Sequence, residues 1–175
     1  MKIQVDVFDM SSVDDAVKKL NDYAESIQKK AQTLIERLAS KGYLVTETGF
    51  GTAIYDGTND VSVELLEDEG KIVIRASGYT VMFIEFGTGV TFQTYHPKRS
   101  ELGIGDVGTY GHGLGILNGG WRYPAENGTG TNGKPDPKHH GYIHTYGNPA
   151  NMPMYNASKD IRSEVLKIAR EVFQS

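Results

Sequence analysis

The sequence predicts an α+β fold in which a long N-terminal helix and a C-terminal helix pack on an antiparallel β-sheet. Apolar residues recur every three or four positions from Val13 to Leu38 and again from Ala157 to Phe173, which is typical of amphipathic helices. Between the two helices, alternating apolar and polar residues flank a polar loop at 67–70, and this pattern favours an antiparallel hairpin. A long glycine-rich loop or hairpin is inserted before the second helix.

At 175 residues, the chain has the length of one domain. We expect a single domain, 1–175, in which residues 1–86 and 150–175 form a compact frame and residues 87–149 form an insert. The stretch from 87 to 150 holds 15 of the 21 glycines and all five histidines. Because glycine at this density cannot build a core alone, we expect the insert to order against another subunit or a partner. A flexible surface loop is the alternative.

The N-terminal helix is predicted from Ser12, an N-cap residue, to Lys41, where Gly42 provides a stop. A half-buried strand, Ile3–Val7, should precede it. At 1.5 Å per residue the helix would be roughly 45 Å long, so part of it should extend beyond the sheet. The apolar stripe in that part would need a neighbour. The stripe consists of Val13, Ala16, Val17, Leu20, Ala24, Ile27, Ala31, Leu34, Ile35 and Leu38.

The sheet is predicted from runs of β-branched, aromatic and alternating residues. Val61–Leu65 and Ile72–Ala76 form the expected hairpin, and the apolar run Tyr79–Phe86 is expected to be a further strand. Two shorter runs, Tyr43–Val45 and Thr52–Tyr55, are also predicted as strands. Pro153 marks where the C-terminal helix can begin.

Composition excludes several classes of protein. There is no cysteine, so disulfides and thiolate metal sites are absent. The net charge is −4, which is the wrong sign for a protein that grips phosphates, and no basic stripe indicates nucleic-acid binding. No apolar run approaches the length of a membrane span, and the first ten residues lack the apolar stretch of a signal peptide. We therefore expect no membrane association and a location in the cytoplasm or in a cytoplasmic assembly.

Histidines of the insert provide the only candidate metal ligands. His139, His140 and His144 are close in sequence, and His112 or Asp136 could add a further ligand. The alternative function is therefore a small metal-dependent enzyme or binding protein with a histidine-rich loop. Solvated or interface histidines are the simpler interpretation, because nearby prolines and glycines disfavour a helix there. No nucleophile motif surrounds the serines and carboxylates of the insert, so we predict no catalysis, no cofactor and no metal.

One motif is more specific than composition. The stretch Met82-Phe83-Ile84-Glu85-Phe86-Gly87-Thr88-Gly89 joins an apolar run to a Glu-Phe-Gly-Thr-Gly sequence. Further along, Met152-Pro153-Met154-Tyr155-Asn156-Ala157 leads into the C-terminal helix. These two motifs, in this order of elements, resemble the tail-completion or head–tail joining (neck) proteins of long-tailed, lambdoid-like bacteriophages. The resemblance covers roughly residues 10–90 and 150–173, and it does not cover the insert.

Glu85 also has a physical interpretation of its own. A lone carboxylate in an apolar segment is costly to bury, so Glu85 should face an edge, a partner or backbone N–H groups. Gly87 and Gly89 let the chain turn sharply, and Thr88 can bond a turn amide.

The resemblance implies a structural virion protein and not an enzyme. Such a subunit would form a ring, sixfold to match the tail, between the head connector and the tail tube, with DNA only passing through its channel. Its location would be the virion neck, and the host cytoplasm during assembly. The resemblance and the aromatic content of the insert together predict an interface with other subunits or neck proteins. The predicted interface residues are Glu85, Phe86, Gly87, Thr88, Gly89, Tyr110, Trp121, Tyr123, Tyr142, Tyr146, Pro153 and Tyr155.

Overall fold

The computed structural model describes residues 2–6, 8–68, 70–87, 96–103, 120–127 and 133–174, with the backbone alone at Trp121 and Asn127. The architecture is α+β, as predicted, with a long N-terminal helix, a C-terminal helix and antiparallel sheets. The helices are α1 (Met10–Gly51), α2 (Val81–Phe86) and α3 (Pro153–Gln174), and a short 3-10 helix spans Ala125–Asn127. The strands are β1 (Ser62–Asp68), β2 (Lys71–Ser77), β3 (Trp121–Pro124), β4 (Gly133–Pro135) and β5 (Tyr142–Thr145).

The strands form two antiparallel sheets within the described residues. The predicted hairpin is confirmed as β1 and β2, paired from Ser62 with Ser77 to Asp68 with Lys71. The second sheet has the order β3-β5-β4, with β5 in the centre. Its register places Arg122 and Lys134 on either side of His144.

Helix α1 continues about ten residues beyond the predicted stop at Gly42. Its last three turns bury one face, on which Thr46 and Phe50 are almost fully inaccessible. Gly42 lies at a close approach to α3, because a Cβ there would stand 2.5 Å from Ile161 Cδ1. The glycine therefore serves helix packing and not helix termination. The predicted strand at Tyr43–Val45 is wrong, because these residues complete the helix.

Three other predicted strands are also wrong. Thr52–Tyr55 has no strand pairing, and neither do residues 2–6, while Val7 lies outside the described residues. Tyr79–Phe86 is a turn followed by α2. Asp60 organises this turn by accepting hydrogen bonds from the Tyr79 and Thr80 N–H groups at 2.8 and 3.0 Å. The Thr80 hydroxyl, followed by the Tyr79 N–H, lowers the pKa of Asp60.

The chain divides into two compact units. The first comprises Met1–Leu38 and Glu164–Ser175, where Arg37 Nη2 pairs with Glu171 Oε2 at 2.7 Å and Ile168 and Val172 are buried. The second comprises Ala39–Ser163 and contains both sheets and α2. Among the described residues, no helix combines the length and apolar character that crossing a bilayer requires.

Candidate functional site

The N-terminus of α3 is the point where both sequence motifs meet. Pro153 is the first helical residue and is fully buried. It lacks an N–H, and its fixed φ suits the first position of a helix. The N–H groups of Met154 and Tyr155 follow, and a helix offers no internal acceptor for them. An acceptor from another part of the chain is therefore needed.

Glu85 provides that acceptor from α2. Its Oε2 accepts the Met154 N–H at 2.9 Å, and its Oε1 accepts the Tyr155 N–H at 3.0 Å. The side chain is 5 % exposed, so its negative charge is buried against the positive end of the α3 dipole. The sequence allowed Glu85 to face an edge, a partner or backbone N–H groups. In the structure it faces backbone N–H groups.

His96 completes this arrangement. Its Nε2 lies 3.0 Å from Glu85 Oε1, and its Nδ1 accepts the Lys98 N–H at 3.1 Å. Because Nδ1 is an acceptor, the ring carries its hydrogen on Nε2. This N–H donates a hydrogen bond to the Glu85 carboxylate. The ring is 3 % exposed and packs between Phe86 and Tyr155, at centroid distances of 4.5 and 5.2 Å. We call Glu85, Phe86, His96, Pro153, Met154 and Tyr155 the Glu85 cluster.

Gly87 fixes the path of the chain out of the Glu85 cluster. Its φ of 73° and ψ of 164° belong to a region that is essentially restricted to glycine. A Cβ at this position would lie 2.6 Å from the Ala150 nitrogen and 2.9 Å from the Asn148 carbonyl oxygen. Because both neighbours are backbone atoms, no side chain fits. Glu85, Phe86 and Gly87 of the motif therefore all contact other parts of their own chain.

The segment before α3 is held by two asparagines. Asn151 Oδ1 accepts the Ile54 N–H at 2.8 Å, and its Nδ2 donates to the Ile54 carbonyl at 3.0 Å. Asn148 Oδ1 accepts the N–H of Asp56. Asp56 is buried, and its Oδ1 accepts the Tyr123 hydroxyl. Its Oδ2 has no hydrogen-bond partner in the part of the chain that the structure describes. The network joins Tyr123 of β3 to Asp56, which precedes β1 in the chain, and to Asn148, which follows β5.

A cavity of about 420 Å³ opens beside the Glu85 cluster. Val81, Met82 and Leu102 give it apolar walls, while Lys98 and Arg162 add positive charge. Lys98 is paired with Glu101 at 2.6 Å. The buried polar atoms of Glu85 and His96 are already engaged in hydrogen bonds, so the cavity contains no free acid or base from this pair.

The loop between β4 and β5 is organised by Asp136. Its Oδ1 accepts the N–H groups of Lys138 and His139 at 2.8 and 3.1 Å, and Arg122 and the His139 ring contact Oδ2. Burial alone would raise the pKa of Asp136, but these hydrogen bonds outweigh it, so the pKa lies well below its usual range. Asp136 therefore serves as a charged turn-forming residue.

The candidate metal ligands do not converge among the described residues. His139 contacts Asp136, His140 is exposed, and the His144 ring packs on Tyr146 with a centroid distance of 4.8 Å. No group of three potential ligands with metal-binding geometry occurs in the described ranges. His112 lies outside them. The metal-dependent alternative stays an untested prediction.

The predicted interface residues separate into four sets. Glu85, Phe86, Gly87 and Pro153 are buried inside their own chain, so a direct contact with another subunit is not open to them in this structure. Tyr123 and Tyr155 are half-buried. Tyr142 and Tyr146 are 44 % and 40 % exposed. The last set lies outside the described residues or has only its backbone described: Thr88, Gly89, Tyr110 and Trp121. The interface role of the whole group stays a prediction.

Sequence reasoning missed several residues that hold this region together. His96 gave no signal, because a single histidine before a proline indicates only a turn. Asn148 and Asn151 stand in an Asn-Pro-Ala-Asn-Met-Pro run that is typical of an irregular segment. Nothing in that run indicates which distant backbone groups the asparagines bind.

Comparison of the chain with protein-family models, with curated proteins and with solved structures finds no match.

Proposed function

We propose that this chain is a structural protein of the bacteriophage neck. It forms a ring, expected to be hexameric, that completes the tail and joins it to the head connector while leaving a channel for DNA. Its partners are further copies of itself, the head-completion or connector protein and the tail tube protein. This function requires no cofactor and no bond-making step.

The observation that carries the proposal is the direct contact between the two motifs on which the resemblance rests. Glu85 lies in the first motif, and its hydrogen bonds reach Met154 and Tyr155 of the second, 69 and 70 positions away in the chain. Two short sequences that far apart form one structural unit. This supports reading the two motifs as a single signature and not as two chance matches.

The chemistry of the Glu85 cluster also favours a structural role. Its buried carboxylate and imidazole are held by the Met154, Tyr155 and Lys98 N–H groups and by each other. Such an arrangement fixes the start of a helix, whereas a general base needs a lone pair that can reach a substrate. A protein that works through interfaces needs a fixed framework of this kind beneath its surfaces.

The experiment is genetic complementation combined with electron microscopy. In a phage whose copy of this gene is disrupted, filled heads and separate tails should accumulate, and the wild-type chain supplied in trans should restore joined particles. Purified chain should form rings in negative stain. Joined, infectious particles without the gene product would contradict the proposal. Stoichiometric zinc in the purified chain would favour the metal-dependent alternative instead.

A further inference from the structure

The β1–β2 hairpin has two unpaired edges. Each strand is seven residues long and has only the other strand as its pairing partner among the described residues. In an antiparallel pair every second residue directs its N–H and C=O groups away from the partner strand, so each edge presents a row of backbone donors and acceptors. Such a row is a template for a further strand. Neither strand contains a proline, and the described pairing has no bulge, so two common protections of an edge are missing.

One face of the hairpin reaches α1, and the other face is open to solvent. Ile74 belongs to the first face, because its Cδ1 would lie 2.7 Å from a Cβ at Gly42. Neighbouring residues of a strand point to opposite faces, so Val73 and Arg75 belong to the open face, and both are exposed. Leu65 lies opposite Ile74, on the face toward α1, and is still 40 % exposed. The contact with α1 therefore leaves part of the apolar surface of β1 uncovered.

The two strands carry charges of opposite sign. β1 contains three acidic residues and no basic one, whereas β2 contains two basic residues and no acidic one. The β1 edges of two copies therefore repel each other, and so do two β2 edges, whereas a β1 edge attracts a β2 edge. The acidic residues are Glu64, Glu67 and Asp68, and the basic residues are Lys71 and Arg75.

The register inside the hairpin shows how these charges would meet those of a second copy. Arg75 lies opposite Glu64, with 3.5 Å between Nη1 and Oε1, and Lys71 lies opposite Asp68. All four residues are on the open face. When β2 pairs antiparallel with β1 of the next copy in this same register, each of these charges on a paired edge stands between two charges of opposite sign.

We propose that β2 of one copy pairs antiparallel with β1 of the next copy, so that the hairpins of neighbouring copies form one continuous sheet. In this register Leu65 lies between two Ile74 side chains, its own and that of the next copy, which cover its exposed apolar surface. The contact is heterologous because its two sides are different edges, and a heterologous contact closes a ring when the rotation between copies allows it. The inference rests on the proposed function for the ring, and it names the surfaces through which the subunits meet.

The first test is the association of the purified full-length chain, measured by sedimentation velocity over a wide range of concentrations. Oligomers are expected. Arg75→Glu places like charges beside each other at every contact and should weaken association about fivefold or more. The exchange variant Glu64→Arg, Arg75→Glu restores opposite charges and should associate like the wild type. Arg170→Glu is the control, because it reverses the same charge at an exposed position of α3. A monomer at every concentration, or association that tolerates Arg75→Glu, would overturn the contact.

The second test locates the contact and exploits the absence of cysteine from the chain. Val73 of one copy should face Leu66 of the next, as it does inside the hairpin. A mixture of Val73→Cys and Leu66→Cys chains should therefore give disulfide-linked heterodimers under mild oxidation, because opposite residues lie roughly 5 Å apart. Val73→Cys alone should not cross-link, since its counterpart would be two strands, or roughly 10 Å, away. Absence of the heterodimer, or cross-linking of Val73→Cys alone, would contradict the pairing.

The two proposals fail separately. Rings in electron micrographs that tolerate Arg75→Glu and give no cross-linked heterodimer would remove the β1–β2 contact and leave the neck function standing. Cross-linking as expected, in the product of a gene that phage assembly does not need, would leave the contact standing and remove the neck function.

Discussion

Glu85 illustrates how a single buried charge can define a joint between distant parts of a chain. An isolated carboxylate would be costly at 5 % exposure, but this one accepts hydrogen bonds from the Met154 and Tyr155 N–H groups and from the His96 ring. Hydrogen bonds to a charged acceptor are the stronger kind. The same contacts satisfy two N–H groups that α3 cannot satisfy by itself.

Replacement of Glu85 tests this role. Glu85→Gln keeps the size of the side chain but points an amide N–H at groups that are themselves donors. We expect the free energy of unfolding to fall by about 2–4 kcal/mol, measured by urea denaturation. Glu101→Gln is the control, because Glu101 is exposed and its pairing with Lys98 is a surface ion pair worth less than about 1 kcal/mol. Equal effects of the two substitutions would argue against the cap.

Gly87 offers a second test with a matched control. Gly87→Ala combines a positive φ with a Cβ that meets the Ala150 and Asn148 backbone, and we expect a loss of about 3 kcal/mol or more. Gly141 has a similar φ of 82°, but no atom lies within 4 Å of its Cβ position. Gly141→Ala should therefore cost only the conformational term, about 1–2 kcal/mol. Thermal denaturation of both variants would separate steric exclusion from backbone strain, and similar losses would exclude the steric explanation.

At the scale of elements, sequence patterns correctly predicted the helices and strands that have a regular local periodicity. The β1–β2 hairpin and both long helices follow from alternation and from the three-to-four spacing. The errors came from short apolar runs. Val81–Phe86 has the composition of a strand, but Asp60 organises the preceding turn, Gly87 ends the segment, and the run between them is helical. Asp60 is 20 residues upstream, beyond the reach of any local pattern.

Gly42 also shows that a local sequence pattern does not reveal contacts between distant residues. A glycine after a lysine at the end of an apolar repeat is a standard helix stop. Here the glycine permits α1 and α3 to approach, and the contact with Ile161 is visible only once both helices are placed. The sequence predicted an interface at the motif 82–89, and it predicted that Glu85 faces an edge, a partner or backbone N–H groups. The donors in α3 could not be identified from residue spacing alone.

The approach of the two helices leads to a prediction at Gly49. A Cβ at Gly49 would lie 2.9 Å from Pro153 Cβ and 3.3 Å from Pro153 Cα, and the proline ring cannot move aside. Gly49→Ala should cost about 1–3 kcal/mol in the free energy of unfolding, despite the better helix propensity of alanine. Gly51 also lies in α1 but has open space around it, so Gly51→Ala should be neutral or stabilising by up to about 1 kcal/mol. A stabilised Gly49→Ala variant would contradict this packing.

At the scale of the whole molecule, burial divides the predicted interface into an internal part and an accessible part. Glu85, Phe86 and Pro153 shape the chain from inside. Tyr142 and Tyr146 carry exposed aromatic surface of the kind that anchors protein interfaces. If the chain works as a neck subunit, these two tyrosines are the most exposed of the predicted interface residues that the structure describes, while Tyr123 and Tyr155 are half-buried.

The double variant Tyr142→Ala, Tyr146→Ala tests that division. More than half of each side chain is buried and the Tyr146 ring packs on His144, so the free energy of unfolding should fall by about 2–4 kcal/mol, and joining is compared at a temperature at which the double variant is folded. Head–tail joining in the complementation assay should fall at least tenfold, because loss of an aromatic anchor commonly weakens an interface by more than about 1 kcal/mol. Tyr79→Ala is the matched control, since Tyr79 is 93 % exposed and lies outside the predicted interface. A folded double variant that joins heads to tails as well as Tyr79→Ala would show that partners bind elsewhere on the chain, and the search for the contact would then move to the residues between 88 and 119.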